Sequence, residues 1–211
     1  MYKRQGIYIS AHPLDDYLRE IKNFTSTSLS SLNDLNKIIN KDLYVGGIIN
    51  EVEHLQTKTG NGFAVFSFED FNDQYQFRIF GEDYLKYKHL LEENKILRLR
   101  LSIREGWVNR ETGRVGDPRI QFLNIELLDG IIDSSSKKIT LKIDSSTLNT
   151  DEVKKLKKIL SKHKGSKPVY FDILDTVNEF KLNMISQETK VSINKDLLLS
   201  LEEDEFRYKL N

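Results

Sequence analysis

The residues of this chain best suited to chemistry are arginines, one lysine and one tryptophan. Arg98, Arg100 and Arg104 fall at even positions of KILRLRLSIREGW, with Leu97, Leu99, Leu101 and Ile103 at the odd ones. In an extended strand the two sets take opposite sides, cations outward and aliphatics toward a core. Trp107, Arg110 and Arg114 follow in the loop GWVNRETGRVGD, Arg78 lies in QYQFRIF, and Lys58 lies in TKTGNG. Guanidinium and ammonium groups contact phosphate, and an indole offers a face on which a base can stack, so the set suits single-stranded nucleic acid. Plainer roles compete with this one. Arg98 and Arg100 equally suit the solvated face of an outer strand. Trp107 suits packing over a sheet end, and Lys58 an ordinary surface.

Catalytic constellations are not expected. A two-metal centre needs several carboxylates on one surface. Asp15 and Asp16 are neighbours that cannot share a face, and Glu69, Asp70 and Asp73 sit where acids make turns. The sequence holds no phosphate-binding P-loop, no G-x-S-x-G and no HExxH. His12, His54, His89 and His163 are scattered and there is no cysteine, so thiolate metal sites and disulfides are excluded. The absence of thiols fits a reducing compartment, the cytoplasm.

These residues need elements to position them. The 211 residues suit one or two domains, and 38% hydrophobic residues suffice for a packed core. Cations and anions balance at 32 each, so any nucleic-acid site must be a local patch. No apolar run is long enough to span a membrane. Residues 1–42 read as a short helical lead-in. Asp15 and Asp16 suit a helix start, Leu14, Leu18 and Ile21 one helix face, and Leu29, Leu32, Leu35 and Ile39 a second short helix.

Residues 43–130 are patterned differently. Three β-type runs, LYVGGIINEVEHL, FAVFSFED and QYQFRIF, precede a helix over EDYLKYKHLLEE that packs through Leu85, Leu90 and Leu91. Two more runs follow, KILRLRLSIREGW and PRIQFLNIELLD. Three strands, a helix and two strands is the order of an OB-fold, a five-stranded Greek-key barrel. Gly46 and Gly47 would let its first strand bend. This segment carries eleven Lys and Arg against fourteen Asp and Glu, a net of three negative charges.

IIDSSSKK reads as a linker, and residues 131–211 as a small α+β domain. It would hold a strand KITLKI and an amphipathic helix over 151–164, with Val153, Leu156 and Leu160 inward and Gly165 as its C-cap. PVYFDIL and EFKLNMI would pair through DTVN, VSI would add a strand, and residues 195–203 a last helix. Lys154, Lys155, Lys157, Lys158, Lys162 and Lys164 on the long helix suit a solvated face, or a docking surface for an acidic partner or DNA. The fold class is therefore mainly β plus α+β.

GIYISAHPLDDY at Gly6–Tyr17 resembles a stretch of the bacterial DNA polymerase III alpha subunit, G-[FI]-Y-[LI]-S-[GA]-H-P-L-D-x-Y, which precedes an OB domain in that family. VGGIINEVEHLQTKTGNGFAVFSFED and FRIFGEDYLKY are similar to that OB domain, and the lysine-rich, aromatic style to the Bacteroidetes group. The resemblance implies a non-catalytic C-terminal part of a replicative DNA-directed DNA polymerase. Its OB domain would guide single-stranded template DNA, and its last domain would dock the tau subunit of the clamp loader. It also implies that the catalytic palm with its magnesium, and the segment that binds the sliding clamp, lie upstream. No cofactor and no membrane partner is expected for these residues, which would be monomeric. MYKRQ has no counterpart in the family and reads as the translation of a transposon end used in sequencing libraries. Met1–Gln5 are therefore expected to be foreign, with native sequence from Gly6.

Three other readings compete. A free-standing single-strand binding protein would bind tightly without partners. The anticodon-binding OB of a tRNA synthetase would need catalytic motifs that residues 131–211 are too short to hold. A protein-docking scaffold would suit the negative charge of residues 43–130.

Overall fold

The computed structural model describes residues 12–108, 111–146, 148–175 and 180–211, with the backbone of an antiparallel pair, Lys3–Arg4 with Ile7–Tyr8. Chain contacts divide the protein into two compact units, Met1–Asp129 and Gly130–Asn211.

In the first unit the strands form where apolar residues alternate. They are β1 (Asp42–Gln56), β2 (Gly62–Glu69), β3 (Gln74–Phe80), β4 (Ile96–Arg104) and β5 (Arg119–Leu127). One antiparallel sheet has the order β3-β2-β1-β4-β5, so the long β1 is shared. Its first half pairs with β4, from Asp42 opposite Ser102 to Ile48 opposite Ile96. Its second half pairs with β2, ending with Gln56 opposite Gly62, and that register slips at Asn50. Strand order and helix position are those of the expected OB-like arrangement. The barrel, however, is not closed: among the described residues no ladder joins β3 to β5.

Side chains bring the sheet edges together instead. Phe77 on β3 lies 5.7 Å from Phe122 on β5, ring to ring, and both pack on Phe66 of β2. Leu97, Leu99, Leu101 and Ile103 are fully buried beneath them, as their alternation required. Each such side chain contributes about 1.5–3 kcal/mol relative to exposure. Gly47 serves close approach: a Cβ there would lie 2.4 Å from the Glu69 carbonyl oxygen.

The lead-in belongs to this unit. After a 3-10 turn at Asp15–Tyr17 comes α1 (Leu18–Phe24), then 3-10 turns at Leu29–Asn33 and Leu35–Ile38 in place of the expected second helix. Leu14, Leu29 and Leu32 are buried, whereas Leu18 is 53% exposed. α1 spans under two full turns, so the i+4 spacing from Leu14 crosses a change of helix type and does not fix one face. Asp70 is turn chemistry, as expected. One oxygen accepts from the Asn72 and Asp73 amides and the other from the Leu29 amide. His12 is a corner residue: its Nδ1 accepts from the Leu14 amide and its ring lies 4.9 Å from that of Phe71. α2 (Gly81–Tyr87) stops earlier than its sequence suggests. Tyr87 and Leu91 are buried, and Leu85, expected to pack, is 63% exposed.

The second unit opens with α3 (Ile131–Ser135) where a linker was expected, because Ile131 and Ile132 are buried. β6 (Ile139–Asp144), β7 (Lys164–Asp175), β8 (Phe180–Val191) and β9 (Arg207–Leu210) form a sheet of order β8-β7-β6-β9. β6 and β7 are parallel, which requires a crossover between them. α4 (Thr150–Lys162) supplies it, started by a capping box between Asn149 and Glu152. Leu156, Ile159 and Leu160 face inward, and Val153 is 46% exposed. His163, not Gly165, caps α4; a Cβ at Gly165 would sit 2.3 Å from the Ser192 amide nitrogen. The VSI run joins the end of β8 and its approach to α5 (Lys195–Glu203). The strands pair as expected, but most of the DTVN turn lies outside the described residues.

Candidate nucleic-acid interface

The outward face of β4 is where the predicted cations concentrate, and the structure divides them. Arg98 is committed to the fold. Its Nε and Nη2 donate to Glu126 Oε1 at 3.0 and 2.7 Å, and Nη1 donates to the Phe24 carbonyl at 3.3 Å. Its guanidinium also lies 5.0 Å over the Tyr44 ring, and the side chain is only 12% exposed. Arg98 therefore ties β4 to β5 and to the end of α1. Arg100 is more open, but it pairs with Asp42 at 3.0 Å and also lies over Tyr44. The Ser102 hydroxyl and the Arg100 guanidinium hold the Asp42 carboxyl below the usual carboxylate range.

The end of the β4–β5 hairpin is built otherwise. Arg104 and Arg119 are Cα partners across the two strands, two like charges directly opposite each other. Arg104 Nε donates to Gln121 Oε1 at 3.4 Å and Arg119 Nε to the Glu105 carbonyl at 3.3 Å. Neither makes an ion pair among the described residues, although Arg104 is near enough to Asp42 to add, after Ser102 and Arg100, to the lowering of that carboxyl. The Arg119 guanidinium lies 3.8 Å over the ring of Trp107, which is 75% exposed. The loop folds back tightly here: Gly116 donates to the Trp107 carbonyl at 3.0 Å, and Val108 bridges Val115. Only glycine fits at Gly106, where a Cβ would lie 2.0 Å from the Gly116 carbonyl oxygen. Arg114 is exposed in the same loop, and Arg110 lies outside the described residues.

Arg78 and Lys58 are elsewhere. Arg78 is on the outward face of β3, opposite Val65 of β2, which is itself opposite Glu53 of β1. Lys58 is exposed at the β1–β2 turn, closed by the Thr57 amide on the Asn61 carbonyl. Next to Arg78 on this face are two aromatic rings that sequence reading passed over. Phe63 and Phe80 stack at 5.0 Å and 17°, with Phe80 52% exposed. Phe80 falls in phase with Gln74, Gln76 and Arg78, and an aromatic in the polar phase of a strand was the available signal. Arg119 gave less: its place opposite Arg104 depends on the hairpin register.

The predicted set thus resolves into three groups. Arg104, Trp107 and Arg114 come together at the hairpin end, joined by Arg119. Arg78 and Lys58 lie along the second half of β1, joined by Phe63 and Phe80. Arg98 and Arg100 stand between, held by carboxylates. Among the described residues no three His, Asp or Glu side chains cluster as a metal site, and no helix is long and apolar enough to cross a membrane.

Comparison with known proteins places the second unit. The family model for the DNA polymerase III alpha subunit, C-terminal domain, matches residues 139–211. The chain is 30% identical over 186 residues to the DNA polymerase III subunit alpha of Borreliella burgdorferi, covering 86% of this chain and 15% of that one. It is 25% identical over 167 residues to that of Bacillus subtilis, covering 78% and 14%. With the Saccharopolyspora erythraea subunit it is 23% identical over 205 residues, covering 95% and 16%. The chain therefore spans about a seventh of the length of these relatives. Among solved structures, an aspartyl-tRNA synthetase of Leishmania major described as putative overlaps 64% of this chain and 26% of its own. Its TM-score is 0.33 at 12% identity, too loose an overlap to carry an argument.

Proposed function

We infer, from a chain similar to the C-terminal part of DNA polymerase III alpha subunits and carrying their C-terminal domain at residues 139–211, a non-catalytic role in DNA replication. The OB-like unit guides single-stranded template DNA, and the second unit docks the tau subunit of the clamp loader. The parent protein is a DNA-directed DNA polymerase of the cytoplasm whose magnesium site and sliding-clamp segment lie outside these residues.

One observation carries the first half. The Arg119 guanidinium lies over an exposed Trp107 and opposite Arg104, and neither arginine makes an ion pair among the described residues, so positive charge and a stacking face coincide on one hairpin end. That pairing of basic groove and aromatic platform is what single-strand sites use. Phe63, Phe80 and Arg78 offer a second platform on the strand 2–3 face where OB-folds take their ligands. The docking half is supported by the outward apolar row Phe180, Leu182 and Met184 on β8, an edge strand. Exposed apolar rows of this kind mark protein partners.

The test is fluorescence anisotropy of the full chain with a labelled single-stranded oligonucleotide across a salt series. Binding should weaken with salt, and Arg104→Gln should reduce the log–log slope by about 0.7, the value for one phosphate of a single strand left unneutralised. An unchanged slope in Arg104→Gln and Arg119→Gln would remove the hairpin end from the interface. Absence of binding at low salt would shift the OB-like unit to protein docking. Calorimetry with purified tau, comparing Leu182→Asp with the unaltered chain, tests the second half.

A further inference from the structure

α4 divides its lysines as β4 divides its arginines. In its first half each charge is answered: Lys154 pairs with Asp151, Lys155 pairs with Asp204, and Glu152 serves the capping box. In its second half Lys157, Lys158 and Lys162 are exposed and have no ion pair among the described residues. Lys164 follows directly, because Gly165 packs against the Ser192 backbone and turns the chain from α4 straight into β7. Lys158 and Lys162 are one helical turn apart, about 6 Å along the axis. Leu156, Ile159 and Leu160 hold one side of the helix in the core; Lys158 lies opposite them and Lys157 and Lys162 on the two flanks, so the lysines wrap the outward half of the helix.

The side-chain types select the occupant. Protein interfaces are anchored by aromatic residues, Met and Arg and are depleted in Lys. Among the described residues the exposed large apolar side chains of this unit are Val153, in the first half of α4, and Leu174, Phe180, Leu182, Met184 and Ile185 of β7 and β8. Only Val153 neighbours these lysines, one turn before Lys157, and a single exposed valine makes no apolar patch. Single-strand sites add aromatic platforms for unstacked bases, and the strip has none. A row of ammonium groups alone suits a regular array of phosphates whose bases are turned inward. We propose that Lys157, Lys158, Lys162 and Lys164 form a sequence-independent docking strip for the phosphate backbone of duplex DNA. The proposal does not depend on the single-strand reading of the first unit.

The full chain would be titrated with a labelled duplex of about 20 base pairs across a salt series, beside the Lys157→Gln/Lys158→Gln/Lys162→Gln/Lys164→Gln variant. Each duplex phosphate that the variant leaves unneutralised should lower the log–log salt slope by about 0.9. A decrease of about 2–4 in slope, with at least a tenfold loss of duplex affinity at low salt, is expected. Binding to a single strand should be unchanged. Lys158→Glu/Lys162→Glu, with circular dichroism as a check on folding, should deepen the loss. Four results would overturn the proposal: no duplex binding by the unaltered chain, an unchanged slope, an equal loss on single strand and duplex, or loss of poly-glutamate binding with duplex binding intact.

Discussion

Arg98 and Arg104 stand on one strand, point to one face and carry one charge, yet they do different things. Arg98 meets Glu126 with two nitrogens, caps the Phe24 carbonyl and lies over Tyr44. Arg104 meets another arginine across the hairpin, has an amide oxygen for its Nε, and touches the Asp42 carboxyl only through a weak long-range attraction, without an ion pair. A guanidinium whose charge is answered inside the fold has little left to offer a phosphate. One set beside its own like is stabilised by an anion that arrives. The partner across the strand, not the residue type, separates the cation that holds the barrel wall from the cation that faces a ligand.

The largest expected effect is on the structural side. Arg98→Ala leaves Glu126 with the Asn124 amide alone and removes the charge-assisted hydrogen bonds of a guanidinium that is 12% exposed. About 2–4 kcal/mol of stability should be lost, read from urea unfolding, while the salt slope of single-strand binding stays as it was. A changed slope without lost stability would reverse the assignment of the two arginines. Trp107→Ala should do the opposite. The ring is 75% exposed, so stability should shift by no more than about 0.5 kcal/mol. Single-strand affinity should fall by about 1–3 kcal/mol, roughly five- to 150-fold.

Phe80→Ala sharpens the comparison by asking whether the interface is one patch or two. Phe80 lies along the second half of β1 and Trp107 beyond its start, so a strand touching both must cross the sheet. A loss near the low end, about 1 kcal/mol, is expected for long oligonucleotides. Short ones that reach only the hairpin end should lose nothing. Equal losses at both lengths would place the primary site on the β2–β3 face.

The alternating faces of β3 and β4 were legible because period two needs no tertiary knowledge: Tyr75, Phe77 and Ile79 turn in, and so do the four aliphatics of β4. Helical faces were less so. Leu85 and Val153 match a helical spacing, but one side of each helix meets solvent, so period alone cannot say where the buried arc ends. The open barrel was not legible, because ladder closure depends on how far two edges curl and Phe77 and Phe122 fill the gap first. β9 was missed as well: four residues, Arg207–Leu210, are too few for a pattern. The split among the arginines was hidden for the same reason. Which residue stands opposite Arg98 or Arg104 is set by a register that slips between Arg100 and Leu101.

Arg100 falls between the two kinds, and the smallest expected effect belongs to it. Its partner Asp42 has a carboxyl held below the ordinary range by Ser102 and then by Arg100 itself. A depressed folded-state value means the pair stabilises above the unfolded carboxylate range and stops doing so as pH falls through the folded one. Both groups are solvent-screened, so the effect on stability should be slight. Carbon-detected NMR titration of Asp42 should give a midpoint below that of an ordinary aspartate, and Arg100→Ala should raise it toward that value. Saturating single-stranded DNA should raise the midpoint only if a phosphate takes Arg100 from Asp42. A midpoint indifferent to DNA would leave Arg100 with Arg98, as part of the wall rather than of the interface.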